Sequence, residues 1–199
     1  RWPEALQGSL LLTSYGQATL SLLLTEEAAG TMQGGLIPLS LEFDAGIMRG
    51  EFHPNGPLYL AGMTSWQSAG TQPGALHRVR YTCRPISLPV SLEVEADGLR
   101  LRYSRPLDAD AATDSGNYHL EQWTYQWTRN YGSARYSVRR PGEPGTDTVD
   151  VAAARLSADG RSVVLEIPGI RPVMGMSIRY DLEAADGTDM DQEIYTTIN

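Results

Sequence analysis

Gly8-Ser9-Leu10-Leu11-Leu12-Thr13 and Gly56-Pro57-Leu58-Tyr59-Leu60-Ala61 carry one pattern twice: a glycine entry, then a short apolar run. The step is 56 − 8 = 48 residues, and repeats of roughly 40–50 residues are the spacing of β-propeller blades. Each copy leads through a polar, glycine-bearing turn into a second run, Leu20–Thr25 after the first and Leu76–Thr82 after the second. A blade buries its faces against neighbouring blades, and a ring closes with about four to eight of them. Two copies cannot close a ring. Residues 1–84 therefore read as about two blades of a larger array, whose remaining blades lie in the same or another chain.

Outward from these phrases, strand-like runs follow at Gly35–Phe43 and Ile47–Phe52, and Asn55-Gly56 has the chemistry of a hairpin turn. From residue 85 the alternation becomes cleaner. Val90–Ala96 and Leu99–Tyr103 flank Asp97-Gly98, another hairpin signal. Asp108 is placed to cap one helical turn through Ala112. Further strands are expected at Tyr118–Thr128, Ser133–Arg139, Val149–Leu156, Ser162–Ile167, Ser177–Ala184 and Glu193–Ile198. Seven or eight strands with frequent turn signals describe an immunoglobulin-like sandwich over 85–199. The fold class expected is all-β: a partial propeller of about two blades over 1–84, joined near 84–88 to the sandwich.

Composition agrees and removes several chemistries. Twenty Gly, twelve Pro and ten Tyr with 41% hydrophobic residues suit a strand-rich globular chain. Every one of the 16 cationic side chains is arginine, which leaves no Schiff-base amine and no P-loop lysine. A net charge of −8 disfavours nucleic acid as a partner, because phosphate binding needs clustered positive charge. Cys83 is alone, so no internal disulfide, CxxC pair or cysteine zinc site can form; it is expected to be buried or half-buried. No run reaches the roughly 18 apolar residues of a membrane span. The opening Arg1-Trp2-Pro3 carries no signal sequence, so a removed leader or a longer parent chain is expected.

The densest chemical feature is Trp123-Thr124-Tyr125-Gln126-Trp127, followed by Tyr131. On one strand, the period of two would set Trp123, Tyr125 and Trp127 on one face and Thr124, Gln126 and Thr128 on the other. Such a ladder either packs, as sandwich core or a docking face, or it stacks on the C–H faces of sugars. Trp123, Tyr125, Trp127 and Tyr131 are thus the candidate carbohydrate-binding residues. Trp66, His77 and Arg78, on and after the loop that follows Pro57–Met63, are the candidate pocket residues. Asp108, Asp110, Asp114 and Asn117, and again Asp186, Asp189, Asp191 and Glu193, offer oxygen ligands. They break the EF-hand order and read as solvated turns, so no metal site is assigned. GxSxG, HExxH, GxGxxG and CxxCH are all missing from the sequence, and no catalytic residue is assigned.

Several phrases resemble a known family. Phe52-His53-Pro54-Asn55-Gly56-Pro57-Leu58-Tyr59-Leu60-Ala61-Gly62, then Trp66 and Gly74–Thr82, are similar to the closing blade of large secreted bacterial proteins with a sorbosone/glucose dehydrogenase-like propeller, often fused to a c-type cytochrome domain. Leu99–Asp108, Asn117-Tyr118, Tyr125–Trp127, Tyr131–Ser133 and Leu156–Leu165 are similar to the immunoglobulin-like module that ends such proteins. Pro57 stands where an aspartate-glycine turn is usual. The resemblance implies an exported location, periplasmic or extracellular, and a parent using a quinone cofactor, calcium and haem c, none of them held within this segment. It implies a non-catalytic C-terminal structural or accessory region, and the aromatic stripe read above adds polysaccharide as its expected contact. Two alternatives stand beside it. The segment completes the active propeller of a quinone-dependent sugar dehydrogenase, or it is a pure assembly module pairing through an exposed blade edge.

Overall fold

In a computed structural model, which describes residues 2–28 and 30–199, the chain is all-β. A seven-stranded sheet has the order β1-β2-β3-β14-β13-β9-β10, in which β1 is Leu10–Ser14, β2 Thr19–Ala28, β3 Thr31–Pro38, β9 Tyr118–Trp123, β10 Asp147–Val149, β13 Val173–Glu183 and β14 Asp189–Ile198. A four-stranded sheet runs β11-β12-β8-β7, with β7 Pro89–Glu95, β8 Gly98–Tyr103, β11 Ala153–Leu156 and β12 Ser162–Glu166. The third sheet is β4-β5-β6, with β4 Gly46–Phe52, β5 Leu58–Met63 and β6 Gly74–Val79. Among the described residues no helix is long and apolar enough to cross a membrane. The chain divides into two compact units: Arg1–Leu23 with Leu36–Pro85, and Leu24–Gly35 with Ile86–Asn199.

In the first unit each copy of the repeated phrase pairs with the run that follows it, as the sequence suggests. Leu10 faces Leu23 and Ser14 faces Thr19 across β1 and β2, while Leu58 faces Val79 and Met63 faces Gly74 across β5 and β6. The two copies nonetheless occupy different positions. β1 is the edge of its sheet, β5 the centre of a three-stranded meander, and neither sits in a four-stranded blade. Nor are the faces left bare. Leu20, Ile47, Leu58 and Leu60 are buried together, with Trp2, Leu11, Leu39, Phe43 and Val79 packed around them, all from this unit. Each such aliphatic burial stabilises by roughly 1.5–3 kcal/mol. This stretch thus buries a small core made of its own residues. Cys83 departs as well: it is exposed, in a left-handed conformation with φ 62°.

The second unit is a β-sandwich. Alternation along β8 sends Leu99, Leu101 and Tyr103 inward; along β13 it sends Ile178, Tyr180 and Leu182 inward. The register stacks like on like: Leu101 lies between Leu92 and Val163, and Ile178 between Leu120 and Ile194. Tyr103 and Tyr180 meet edge to face across the sandwich, ring centroids 5.5 Å apart. The β7–β8 hairpin forms, but its turn is Ala96-Asp97; Gly98 is already in β8, paired with Glu95. Asp108 caps the one α-helix among the described residues, α1 (Ala109–Thr113), its carboxylate accepting from the Ala111 N–H at 2.9 Å.

Three strand expectations fail for one reason, the supply of partners. The run Val149–Leu156 is cut because β10 pairs with β9 in one sheet and β11 with β12 in the other, so residues 150–152 cross between them. The run Tyr118–Thr128 stops at Trp123, the last β9 residue with a partner on β13; beyond it Thr124 bridges only Tyr136. Ser133–Arg139 forms no strand and is folded into turns, with Ser137 N–H donating to the Glu143 carbonyl.

Candidate functional site

The aromatic stripe is split by the end of β9. Tyr118, Leu120 and Gln122 point between the sheets, so Trp123 projects from the outer face, yet it is only 3% exposed. Residues 124–146 return over it. The Thr124 and Tyr136 backbones exchange two 2.9 Å hydrogen bonds, and the Arg135 guanidinium carbon sits 3.9 Å from the centroid of the Trp123 ring, a cation–π contact. Opposite Trp123 on β13 is Gly175, where a Cβ would fall 2.4 Å from the indole. Trp123 is thus a packed residue, with a buried indole N–H that finds no acceptor among the described residues.

The other three rings share a surface. Tyr125, Trp127 and Tyr131 lie on the excursion after β9, with Trp127 at 104% and Tyr131 at 94% exposure. The backbone there is tied down by the Gln126 N–H donating to Ser133 Oγ at 3.0 Å and Asn130 N–H to Thr128 Oγ1 at 3.2 Å. These rings border a cavity of about 500 Å3 that also takes in Gln126, Asn130 and Met174. Tyr125 and Met174 are shared with a second, about 600 Å3, reaching Val138, Pro141 and Pro172. No residue lining either cavity carries a charged side chain. Met174 is half exposed, and its sulfur accepts from Thr124 Oγ1 at 3.2 Å and the Tyr125 N–H at 3.3 Å, fixing where the excursion leaves the sheet.

Asp147 anchors the same region from below. Its carboxylate accepts from Ser137 Oγ at 2.6 Å, the Val138 N–H at 2.7 Å and the Arg139 N–H at 2.9 Å. Burial raises its pKa, but those three donors and the Arg139 charge together outweigh burial and hold it below the ordinary carboxylate value. Asp159, held by the Ser157 hydroxyl, and Asp186, held by the Thr188 hydroxyl, are lowered too. Burial pushes the Tyr103, Tyr118 and Tyr180 phenols up. All these shifts run away from neutral pH, so none of these groups is tuned as a general acid or base at pH 7.

Trp66, His77 and Arg78 do not assemble. His77 and Arg78 are successive residues of β6 and point to opposite faces; His77 is half-buried against Phe43, ring centroids 5.1 Å apart, while Arg78 is exposed. Trp66 is exposed on the loop between β5 and β6, where its carbonyl accepts from the Tyr15 hydroxyl at 3.1 Å. In the acidic groups, Asp114 accepts from the Gly116 N–H and Asp186 pairs with Arg105. No cluster of three His, Cys, Asp or Glu side chains able to hold a metal occurs among the described residues.

No family model, no curated protein and no solved structure matches the chain. The arrangement itself shows an aromatic-edged groove lined by uncharged side chains. Sequence reasoning missed Met174 and Asp147. For Met174 the available signal was Met174-Gly175-Met176, a glycine between two methionines opposite an aromatic strand end; for Asp147 no local pattern distinguished it from the other acidic turn residues.

Proposed function

We propose that this chain is a non-catalytic accessory region whose excursion after β9 binds a neutral polysaccharide. The single observation behind this reading is the surface of Tyr125, Trp127, Tyr131 and Met174: four large apolar side chains left open along a groove without a charged side chain. Exposed apolar patches in globular proteins mark contact sites. Sugar rings present flat C–H faces to aromatic rings, and Gln126, Thr128 and Asn130 supply neutral hydrogen-bonding groups beside them. Trp123 is excluded from contact by its burial.

In the finer fold reading, the second unit is immunoglobulin-like, supported by its two packed antiparallel sheets. The blade reading of the first unit rests on the recurring phrase and the β4-β5-β6 meander, with a fourth blade strand lacking from that sheet. Membership of a sorbosone/glucose dehydrogenase-like parent, an exported location and partner blades rest on the sequence phrases alone. Quinone, calcium and haem c are not assigned to these residues. Covalent haem needs a CxxCH pair that the lone Cys83 cannot supply, and His77 and Arg78 diverge. The test is titration with soluble neutral polysaccharides, read by tryptophan fluorescence. A response in the wild type that Trp127→Ala abolishes is expected; silence across cellulose-, xylan-, mannan- and glucan-type oligomers would sink the binding role.

A further inference from the structure

We infer that the second unit carries a separate site for a hydroxylated carboxylate of uronic-acid size, in the cavity floored by Gln122 and edged by Arg139 and Arg171. Two glutamines of this unit are largely buried and differ in their partners. Gln33 is 6% exposed and satisfied at both ends: its Nε2 donates to Glu26 Oε2 at 2.7 Å and its Oε1 accepts from the Asn199 N–H at 3.0 Å. Gln122 is 7% exposed overall, makes no side-chain hydrogen bond to the protein among the described residues, and is not among the buried polar groups cut off from water, so its amide meets the cavity it lines. That amide is free to donate to or accept from a ligand group entering the cavity.

Gln122 lines a cavity of about 550 Å3 at one end of the sandwich. That volume lies within the roughly 300–1,000 Å3 of small-molecule sites. Its walls include the apolar Val149, Ile167 and Met176, its rim Arg139, Arg171 and Asp150. No carboxylate lies within 4.0 Å of either guanidinium among the described residues. Asp147 is near Arg139 and lowered by its charge, but its oxygens already hold the Ser137 hydroxyl and the Val138 and Arg139 N–H groups. A guanidinium fork matches a carboxylate in two parallel hydrogen bonds. Asp150 accepts from hydroxyls, Gln122 can donate or accept, and the apolar wall suits the C–H face of a sugar ring. A free uronate and the terminal uronate of an acidic oligosaccharide share this chemistry.

The test uses the whole chain and does not depend on the glycan groove. Glucuronate and a glucuronate-terminated oligosaccharide are titrated while the Gln122 side-chain amide and arginine Nε resonances are followed, with glucose as control. Shifts of both sets by glucuronate are expected, weakened about tenfold or more by Arg139→Ala or Arg171→Ala, since hydrogen bonds to charged groups are worth roughly 1.5–3 kcal/mol. Response to the oligosaccharide as well assigns the terminal form; response to the monomer alone assigns the free acid. Gln122→Leu removes the amide from the cavity lining, so it should keep the wild-type circular dichroism spectrum while losing the glucuronate response. No shift at millimolar glucuronate, an equal response to glucose, indifference to both arginine variants, or a folded Gln122→Leu protein that still responds would each overturn the site. Loss of the Trp127-dependent fluorescence response would leave it standing.

Discussion

Trp123 and Trp127 are four residues apart in one aromatic run, and they differ as much as two tryptophans can. The first is sealed between Gly175 and Arg135; the second has no neighbour over it at all. Side-chain chemistry does not separate them, since Tyr125 and Trp127 carry as much apolar area. What separates them is backbone pairing. Trp123 still has a backbone ladder partner on β13, whereas beyond it Thr124 bridges only Tyr136 and Tyr125 reaches β13 only through the Met174 sulfur. Where a strand neighbour exists, the chain returns to cover the ring; where it ends, the rings stay free for something outside the chain.

The sharpest break of this contrast is to truncate each ring. Trp123→Ala should cost about 3–5 kcal/mol, the range for deleting a buried aromatic, and Gly175→Ala should approach it by driving a methyl into the same indole. Trp127→Ala should stay within about 0.5 kcal/mol, as for other exposed positions. Urea denaturation measures all three. Equal losses at Trp123 and Trp127 would show that the excursion packs its rings after all.

Asp147 provides the next test, because it holds the returning chain in place. Its folded pKa is lowered, so its contribution is fully present above the ordinary aspartate value of about 3.9 and is lost as pH falls through the depressed folded value. Asp147→Asn should cost about 2 kcal/mol, the scale of a hydrogen bond to a charged group, and the loss should vanish at low pH, where the wild-type carboxylate is protonated too. Amide exchange at Val138 and Arg139 reports it: faster in the variant at pH 6, converging with wild type toward pH 2. A constant difference across that range would mean the carboxylate charge is not what orders the loop.

Much of this was legible in the sequence wherever one strand served one sheet. The runs at β4, β5, β7, β8 and β12 fall within a residue or two of their expected places, since alternation and turn residues encode them locally. The Asp108 cap was equally local. What escaped depended on long-range partners: the split at 150–152 requires knowing that two sheets compete for the segment, and the end of β9 requires knowing where β13 begins. The site followed the same rule. Tyr125, Trp127 and Tyr131 stood out as aromatic, but whether a ring is core or surface is decided by what crosses it, and the strands that carry the Gly8 and Gly56 phrases take an edge in one sheet and a centre in another, which the repeat does not encode.

The smallest effects lie on the buried side of the contrast, in three core tyrosines. Tyr118 donates its hydroxyl to the Ala112 carbonyl at 2.9 Å, while the Tyr103 and Tyr180 hydroxyls are buried with no partner among the described residues. Removing the satisfied hydroxyl in Tyr118→Phe leaves a carbonyl without its donor and should cost about 1 kcal/mol; Tyr103→Phe and Tyr180→Phe relieve a desolvated group and should be neutral or stabilising by up to about 1 kcal/mol. The pH dependence supplies an independent check. Burial, then neighbouring phenols, raises the folded pKa of Tyr103, and burial, then Tyr118 and Asp191, raises that of Tyr180. Their contribution therefore holds below the unfolded value of about 10 and falls as pH climbs past it. Each Phe variant should flatten the alkaline decline of the melting temperature. If Tyr103→Phe instead destabilises by more than about 1 kcal/mol, its hydroxyl has a partner that the packing does not reveal, and the distinction between satisfied and unsatisfied burial in this core fails.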